Sequence, residues 1–158
     1  MLSPDSLPHT VKSAPNEAIL PEIEGLLADG YSVTLTVRGE SMNPFLVDRR
    51  DRVRLMPVSA AELKRGMVVL AGTGGGRFVL HRIVARQDRQ RFTLMGDGVL
   101  RSTETVTAED IYAKVTEVFR KGRRYRCGGW TWRLYSYLWR FFTPLRRSLL
   151  ALWRRWPV

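Results

Sequence analysis

Polar and apolar residues alternate strictly through Tyr31-Ser32-Val33-Thr34-Leu35-Thr36-Val37. A period of two with many β-branched side chains predicts a strand with one buried face. Shorter runs of strand character follow at Arg52–Leu55, Gly66–Leu70, Val79–Val84, Arg91–Met95 and Ile111–Phe119. Helical spacing is confined to the flanks of this series. Near the start, Ile23, Leu26 and Leu27 share one helical face after Pro21, and Gly30 suits the C′ position, so a short amphipathic helix is predicted to open at Pro21. Ser59-Ala60-Ala61-Glu62-Leu63 predicts a single helical turn capped by Ser59. The body is therefore expected to be mainly β, with non-local strand pairing and no internal repeat.

Gly72-Thr73-Gly74-Gly75-Gly76 divides two of the predicted strands. A phosphate-cradling loop requires a following Gly-Lys-Ser/Thr and a helix, and neither is present. The glycines predict a hairpin connection instead, because they permit positive φ.

Beyond Glu117 the pattern changes. Arg126, Arg133, Arg140, Arg147 and Arg154 recur every seven residues, and on a helix that interval returns to one side with only about 20° of drift. Between them stand Trp132, Leu134, Tyr135, Leu138, Trp139, Phe141, Phe142, Leu145, Leu149, Leu150, Leu152 and Trp153, with Pro144 set to kink or break the helix. All five tryptophans lie in this segment. Composition sharpens the division. The net charge of +11 belongs wholly to Val118–Val158, which holds eleven basic residues and no acid, whereas the preceding part is formally neutral. Three regions are expected: a flexible N-terminus at 1–16, a β domain at 17–119 and a basic aromatic tail at 120–158.

A helix apolar over most of its circumference must be covered by something. A membrane surface fits the tail best, with Trp130, Trp132, Arg133, Trp139, Arg140, Arg147, Trp153 and Arg154 as contact residues, since aromatic rings favour the headgroup level and arginines favour anionic lipid. Packing on the β body or on a partner is the alternative. Nucleic-acid binding fits less well, because so many large aliphatic side chains have no use there. No run approaches the ~20 apolar residues needed to span a bilayer, and the acidic, proline-rich first thirty residues carry no apolar export signal. A peripheral protein on the cytoplasmic face of a membrane is the expectation. The single cysteine, Cys127, rules out an internal disulfide framework and a four-cysteine zinc site. No cofactor or metal is expected.

The candidate chemistry lies in Gly39-Glu40-Ser41-Met42-Asn43-Pro44 and in Val79-Leu80-His81-Arg82-Ile83-Val84. Serine is a weak nucleophile unless a base takes its proton, and histidine is suited to that role at neutral pH. Met42 is expected to be a core residue beneath the bend. The order of these segments, followed by Met95-Gly96-Asp97, resembles the signal peptidase and LexA-type serine peptidase superfamily over roughly residues 25 to 119.

That resemblance implies a twisted β-sheet domain with a short N-terminal helix and a C-terminal amphipathic tail. It implies Ser41 as nucleophile and His81 as base, as in the histidine branch of the superfamily. An acid is implied in or just after a Gly-Asp-Asn segment. Here Gly96-Asp97-Gly98 matches its start, so Asp97 is the first choice to orient His81 and Glu104 the second. Gly39 stands where some relatives offer a hydroxyl, which leaves the oxyanion to backbone N–H groups, including that of Ser41. The substrate implied is a precursor or leader peptide with small residues before the cut, cleaved in trans. Self-cleavage finds no support, because the one Ala-Gly bond, Ala71-Gly72, lies in the predicted hairpin. A binding module that retains the fold without catalysis is the competing expectation.

Overall fold

The computed structural model describes residues 9–11, 16–74, 77–99, 101–141, 145, 148 and 151–152. Nine strands join in one sheet: β1 (His9–Val11), β2 (Ser32–Thr36), β3 (Asp51–Pro57), β4 (Val68–Thr73), β5 (Arg77–Arg86), β6 (Arg91–Met95), β7 (Glu104–Thr107), β8 (Ile111–Arg120) and β9 (Arg123–Arg126). The spatial order is β1-β2-β3-β8-β4-β5-β6-β7, with β9 paired to β8. Among the described residues only the β1–β2 pair is parallel. Insertion of β8 between β3 and β4 is the non-local pairing expected of a mainly β chain.

Among the described residues two α-helices accompany the sheet, α1 (Asn16–Ala28) and α2 (Trp130–Phe141). The start of α1 differs from the sequence expectation, since the helix runs through Pro21. Proline fixes φ at a helical value, so the ring costs α1 a hydrogen bond without ending it. Ile23 and Leu27 bury the inner face, and Gly30 follows at φ 87°. The Ser59 turn forms as a 3₁₀ segment, Ala60–Glu62, in which the Ser59 N–H and hydroxyl both donate to Glu62 Oε2 at 3.1 Å. The predicted glycine hairpin is the β4–β5 connection, whose last pair is Thr73 with Arg77.

Two regional boundaries also differ. His9–Val11, inside the segment expected to be flexible, pairs with Ser32–Thr34. At the other end the sheet continues to Arg126, because β9 folds back on β8 through Lys121-Gly122, both at positive φ. Charge composition marks a boundary at Glu117, but the sheet runs across it: Glu117 pairs with Arg126 in the ladder, and its carboxylate meets the Arg124 guanidinium at 2.7 Å.

The sheet separates two cores. Val68, Leu70, Val53, Leu55, Val115 and Val118 pack with α1 and with Met42, Phe45 and Leu46 on one side. Val69, Ala71, Ile83, Phe92, Leu94 and Val106 pack on the other. Along β5 the strand alternation sends Phe78 and Leu80 to the first core and Val79 and Ile83 to the second. No helix among the described residues is long and apolar enough to cross a membrane.

Candidate active site

Residues 37–50 link β2 to β3 without regular structure, so their backbone groups must find partners elsewhere. Asp48 Oδ1 accepts from the Gly39 N–H at 2.8 Å, and Asp51 Oδ2 accepts from the Val47 N–H at 2.9 Å. Gly39 adopts φ 87°, a left-handed value that glycine takes without strain and that turns the chain into Ser41. Met42 is buried in the first core, as expected of a residue beneath the bend. The Asn43–Pro44 peptide bond is cis.

The half-buried Ser41 is held by its own backbone. Its carbonyl oxygen accepts from the Gly98 N–H at 2.8 Å. A Cβ on Gly96 would lie closer than 3.0 Å to that same oxygen, and one on Gly98 would lie 2.7 Å from the Glu40 carbonyl oxygen. The turn after β6 therefore consists of glycine where the Ser41 turn presses against it. The Ser41 N–H has no acceptor among the described residues.

His81 reaches this place from β5. Arg82 pairs with Met95, and the same register carried one step further sets His81 beside Gly96. The backbone of Ser41 thus abuts the residue across from His81. The imidazole is buried, and its Nδ1 lies 2.9 Å from Glu104 Oε2. Glu104 opens β7 and pairs with Leu94, so it stands on the second-core face together with Val79, His81 and Ile83. A carboxylate can only accept, so Nδ1 carries a proton, and the neutral form of the ring presents its lone pair at Nε2. That is the tautomer a general base needs. No hydrogen bond joins the Ser41 hydroxyl to His81 among the described residues.

Asp97 is not at the imidazole. Its carboxylate meets Arg82 on the opposite face of β5, accepting from Nε at 2.9 and 3.2 Å and from Nη2 at 2.6 Å. Both side chains are almost wholly buried. Burial opposes the charge on Arg82, but the Asp97 carboxylate and its hydrogen bonds outweigh that and raise the guanidinium pKa further. The reason for the exchange is strand alternation. Asp97 follows Met95, the cross-strand partner of Arg82, whereas Glu104 shares the face of His81. The acid that orients His81 is Glu104, and Asp97 ties the glycine turn to β5.

Sequence reasoning missed Arg82 and Phe45. The Arg82 guanidinium lies 4.9 Å from the Phe45 ring centroid and donates to the Gly66 carbonyl at 2.8 Å. An arginine inside the apolar run Phe78–Val84 was the available signal, because a buried guanidinium demands a carboxylate. On its other side Phe45 meets Trp132 at 4.3 Å and Tyr135 at 4.6 Å.

Trp132, read from sequence as a membrane contact, is thus partly buried against the body. Helical spacing sets it on the face that carries Tyr135, opposite the exposed Trp130 and Leu134. Arg133 is exposed. The side chains of Trp139 and Arg140, and Arg147, Trp153 and Arg154 altogether, lie outside the described residues. Comparison with protein-family models gives no match, and comparison with curated proteins gives none either.

Proposed function

We propose that this chain is a serine peptidase with a signal-peptidase-like β fold, cutting a precursor or leader peptide in trans. The observation that carries the reading is the buried His81 ring held at Nδ1 by Glu104 at 2.9 Å, on the strand beside the clamped Ser41 turn.

In this reading the Ser41 hydroxyl attacks the scissile carbonyl carbon and His81 Nε2 takes its proton. Glu104 stabilises the imidazolium and keeps the ring from turning. The oxyanion draws on the Ser41 N–H, and one such donor typically supplies roughly 10²- to 10³-fold in rate. His81 then returns the proton to the leaving amine, and water hydrolyses the acyl-enzyme by the same steps. Proton transfer by the imidazole contributes about 10²- to 10⁴-fold. Substrates with small residues before the cut follow from the resemblance of the motifs.

A second reading, a binding module on the same frame, is favoured by the missing hydrogen bond between Ser41 and His81. Native protein N-termini, compared by mass spectrometry in cells carrying wild type or Ser41→Ala at equal expression, separate the two. Precursors left uncut only in the mutant establish the peptidase and reveal its sequence preference. Identical termini in both strains, across growth conditions, remove catalysis and leave the module.

A further inference from the structure

The helix α2 has two apolar faces, and the protein uses one of them. Trp132 and Tyr135 point inward and enclose Phe45. Trp130, Leu134, Tyr137, Leu138 and Phe141 point outward, each between 42% and 74% exposed. Their spacing of i, i+4, i+7, i+8 and i+11 makes one continuous stripe on a helix. Tyr137 and Phe141 stack at 6.5 Å within it. Leu145 and Leu152, beyond the helix, are exposed as well.

The charge carried by α2 and by β9 before it has one sign. Arg123, Arg126 and Arg133 are exposed, and none has an ionic partner among the described residues. From Val118 onward the sequence offers no acid to balance them. Neither α2 nor β9 holds an acid for these arginines to meet in a symmetric contact of this surface with its own copy. An anionic lipid surface supplies both what the stripe lacks and what the arginines lack: an apolar interior at shallow depth and phosphate at its rim. Aromatic residues make up three of the five stripe positions, and such rings favour the headgroup level.

We propose that α2 lies flat on an anionic membrane, with Trp130, Leu134, Tyr137, Leu138 and Phe141 below the headgroups and the exposed arginines among the phosphates. The inner face of the same helix grips Phe45, four residues past Ser41, so a docked helix holds the nucleophile turn at the membrane surface. The substrate is then a peptide presented at the interface; this last step rests on the peptidase reading, and the docking does not.

The test is co-sedimentation of the full chain with vesicles of pure phosphatidylcholine and of phosphatidylcholine mixed with phosphatidylglycerol. Wild type should bind the mixed vesicles more tightly, with an advantage that shrinks as salt rises. The L134E/F141E variant should lose roughly tenfold or more in affinity for each side chain withdrawn from lipid. An R123Q/R133Q variant, at two exposed positions, should lose about fivefold per arginine on mixed vesicles alone. Ser41→Ala should bind like wild type, so failure of the peptidase reading and failure of docking are separable. Equal binding to both vesicle types, or to neither, overturns the proposal. So does a concentration-dependent dimer abolished by L134E/F141E, or a salt-sensitive nucleic-acid complex that displaces vesicles.

Discussion

Gly96→Ala adds one methyl group where the nucleophile turn leaves no room. Its Cβ would sit closer than 3.0 Å to the Ser41 carbonyl oxygen and at 3.0 Å from both the Ser41 carbonyl carbon and Val99 Cγ2. Two of these three neighbours are backbone, which cannot swing away as a side-chain end can. Ordinary contact begins at 3.4 Å, so the turn must retreat by more than 0.4 Å from β6. Overpacking of this kind costs about 1–3 kcal/mol of stability. Displacement of a catalytic group by about 1 Å costs on the order of 10² in rate, so kcat/KM should fall roughly ten- to hundredfold, with kcat carrying most of the loss. The assay is cleavage of a peptide spanning a site found in the N-terminus comparison, alongside thermal unfolding of the same preparation. Gly25→Ala is the matched control. No atom lies within 4 Å of its new Cβ, and the residue is inside α1. Replacing a helical glycine there should stabilise by about 0.5–1 kcal/mol and leave cleavage unchanged. Full activity in Gly96→Ala would refute the claim that the glycine turn sets the position of Ser41.

Three further tests address the charges around the site. Glu104→Gln should lower kcat by roughly 10²- to 10⁴-fold with little change in unfolding, because an amide no longer fixes the imidazole tautomer. Asp97→Asn should act through the fold and the turn instead, lowering stability by about 3–5 kcal/mol through the stranded Arg82 and lowering kcat as the glycine turn loosens, while the pH profile of the remaining activity stays that of wild type. For Asp51, burial works against the charge, but hydrogen bonds from Arg120, Arg50 and the Val47 N–H hold its carboxyl below the ordinary range. Its contribution is therefore complete above the unfolded carboxylate pKa of about 4 and is lost as pH falls through the lower folded value. Unfolding temperature measured from neutral to acid pH should show that loss in wild type, and Asp51→Asn should lack it. Burial also pushes the Cys127 thiol well above its ordinary pKa, so alkylation by iodoacetamide at mildly alkaline pH should be slow when folded and rapid in denaturant.

Most of the sheet was legible because one-sided burial writes a period of two into the sequence. Val33, Leu35, Val53 and Leu55 show it, and their strands pair in register, Val33 with Leu55 and Leu35 with Val53. His9–Val11 could not be read that way. Three residues are too few to establish a period, and its pairing depends on an edge that β2 supplies from elsewhere in the chain. Ser41 and His81 were legible as residue types beside turn and strand signals. The choice between Asp97 and Glu104 was not, since it depends on which face of β6 and β7 each acid occupies. Counting along the sequence gives separation but not face once the chain has left a strand and entered a turn. The inner face of α2 was hidden for a related reason. Trp132 and Trp130 look alike in composition, and only contact with Phe45 separates the packed ring from the exposed one.

The placement of buried charge follows from the shape of the Ser41 turn. A strand satisfies its backbone through a ladder, but residues 37–50 have none, and side chains take over. Asp51 accepts from Val47, Arg50 and Arg120, and Arg120 also donates to the Phe45 carbonyl at 2.5 Å. Asp48 secures Gly39 and the Gly98 N–H secures Ser41. Arg82 and Asp97 hold the glycine turn that presses on Ser41, with Phe45 stacked beneath the guanidinium. Buried ion pairs are weak contributors to net stability, because desolvation cancels much of their attraction. Their concentration around one irregular loop is better explained by position than by stability. Each pair fixes a backbone segment whose displacement by half an ångström would move the serine, and charged hydrogen bonds are more directional than apolar contacts. An apolar replacement of Arg82 and Asp97 together, such as Met with Leu, should thus keep the fold by thermal unfolding while the proposed cleavage falls, because Ser41 loses the turn that positions it.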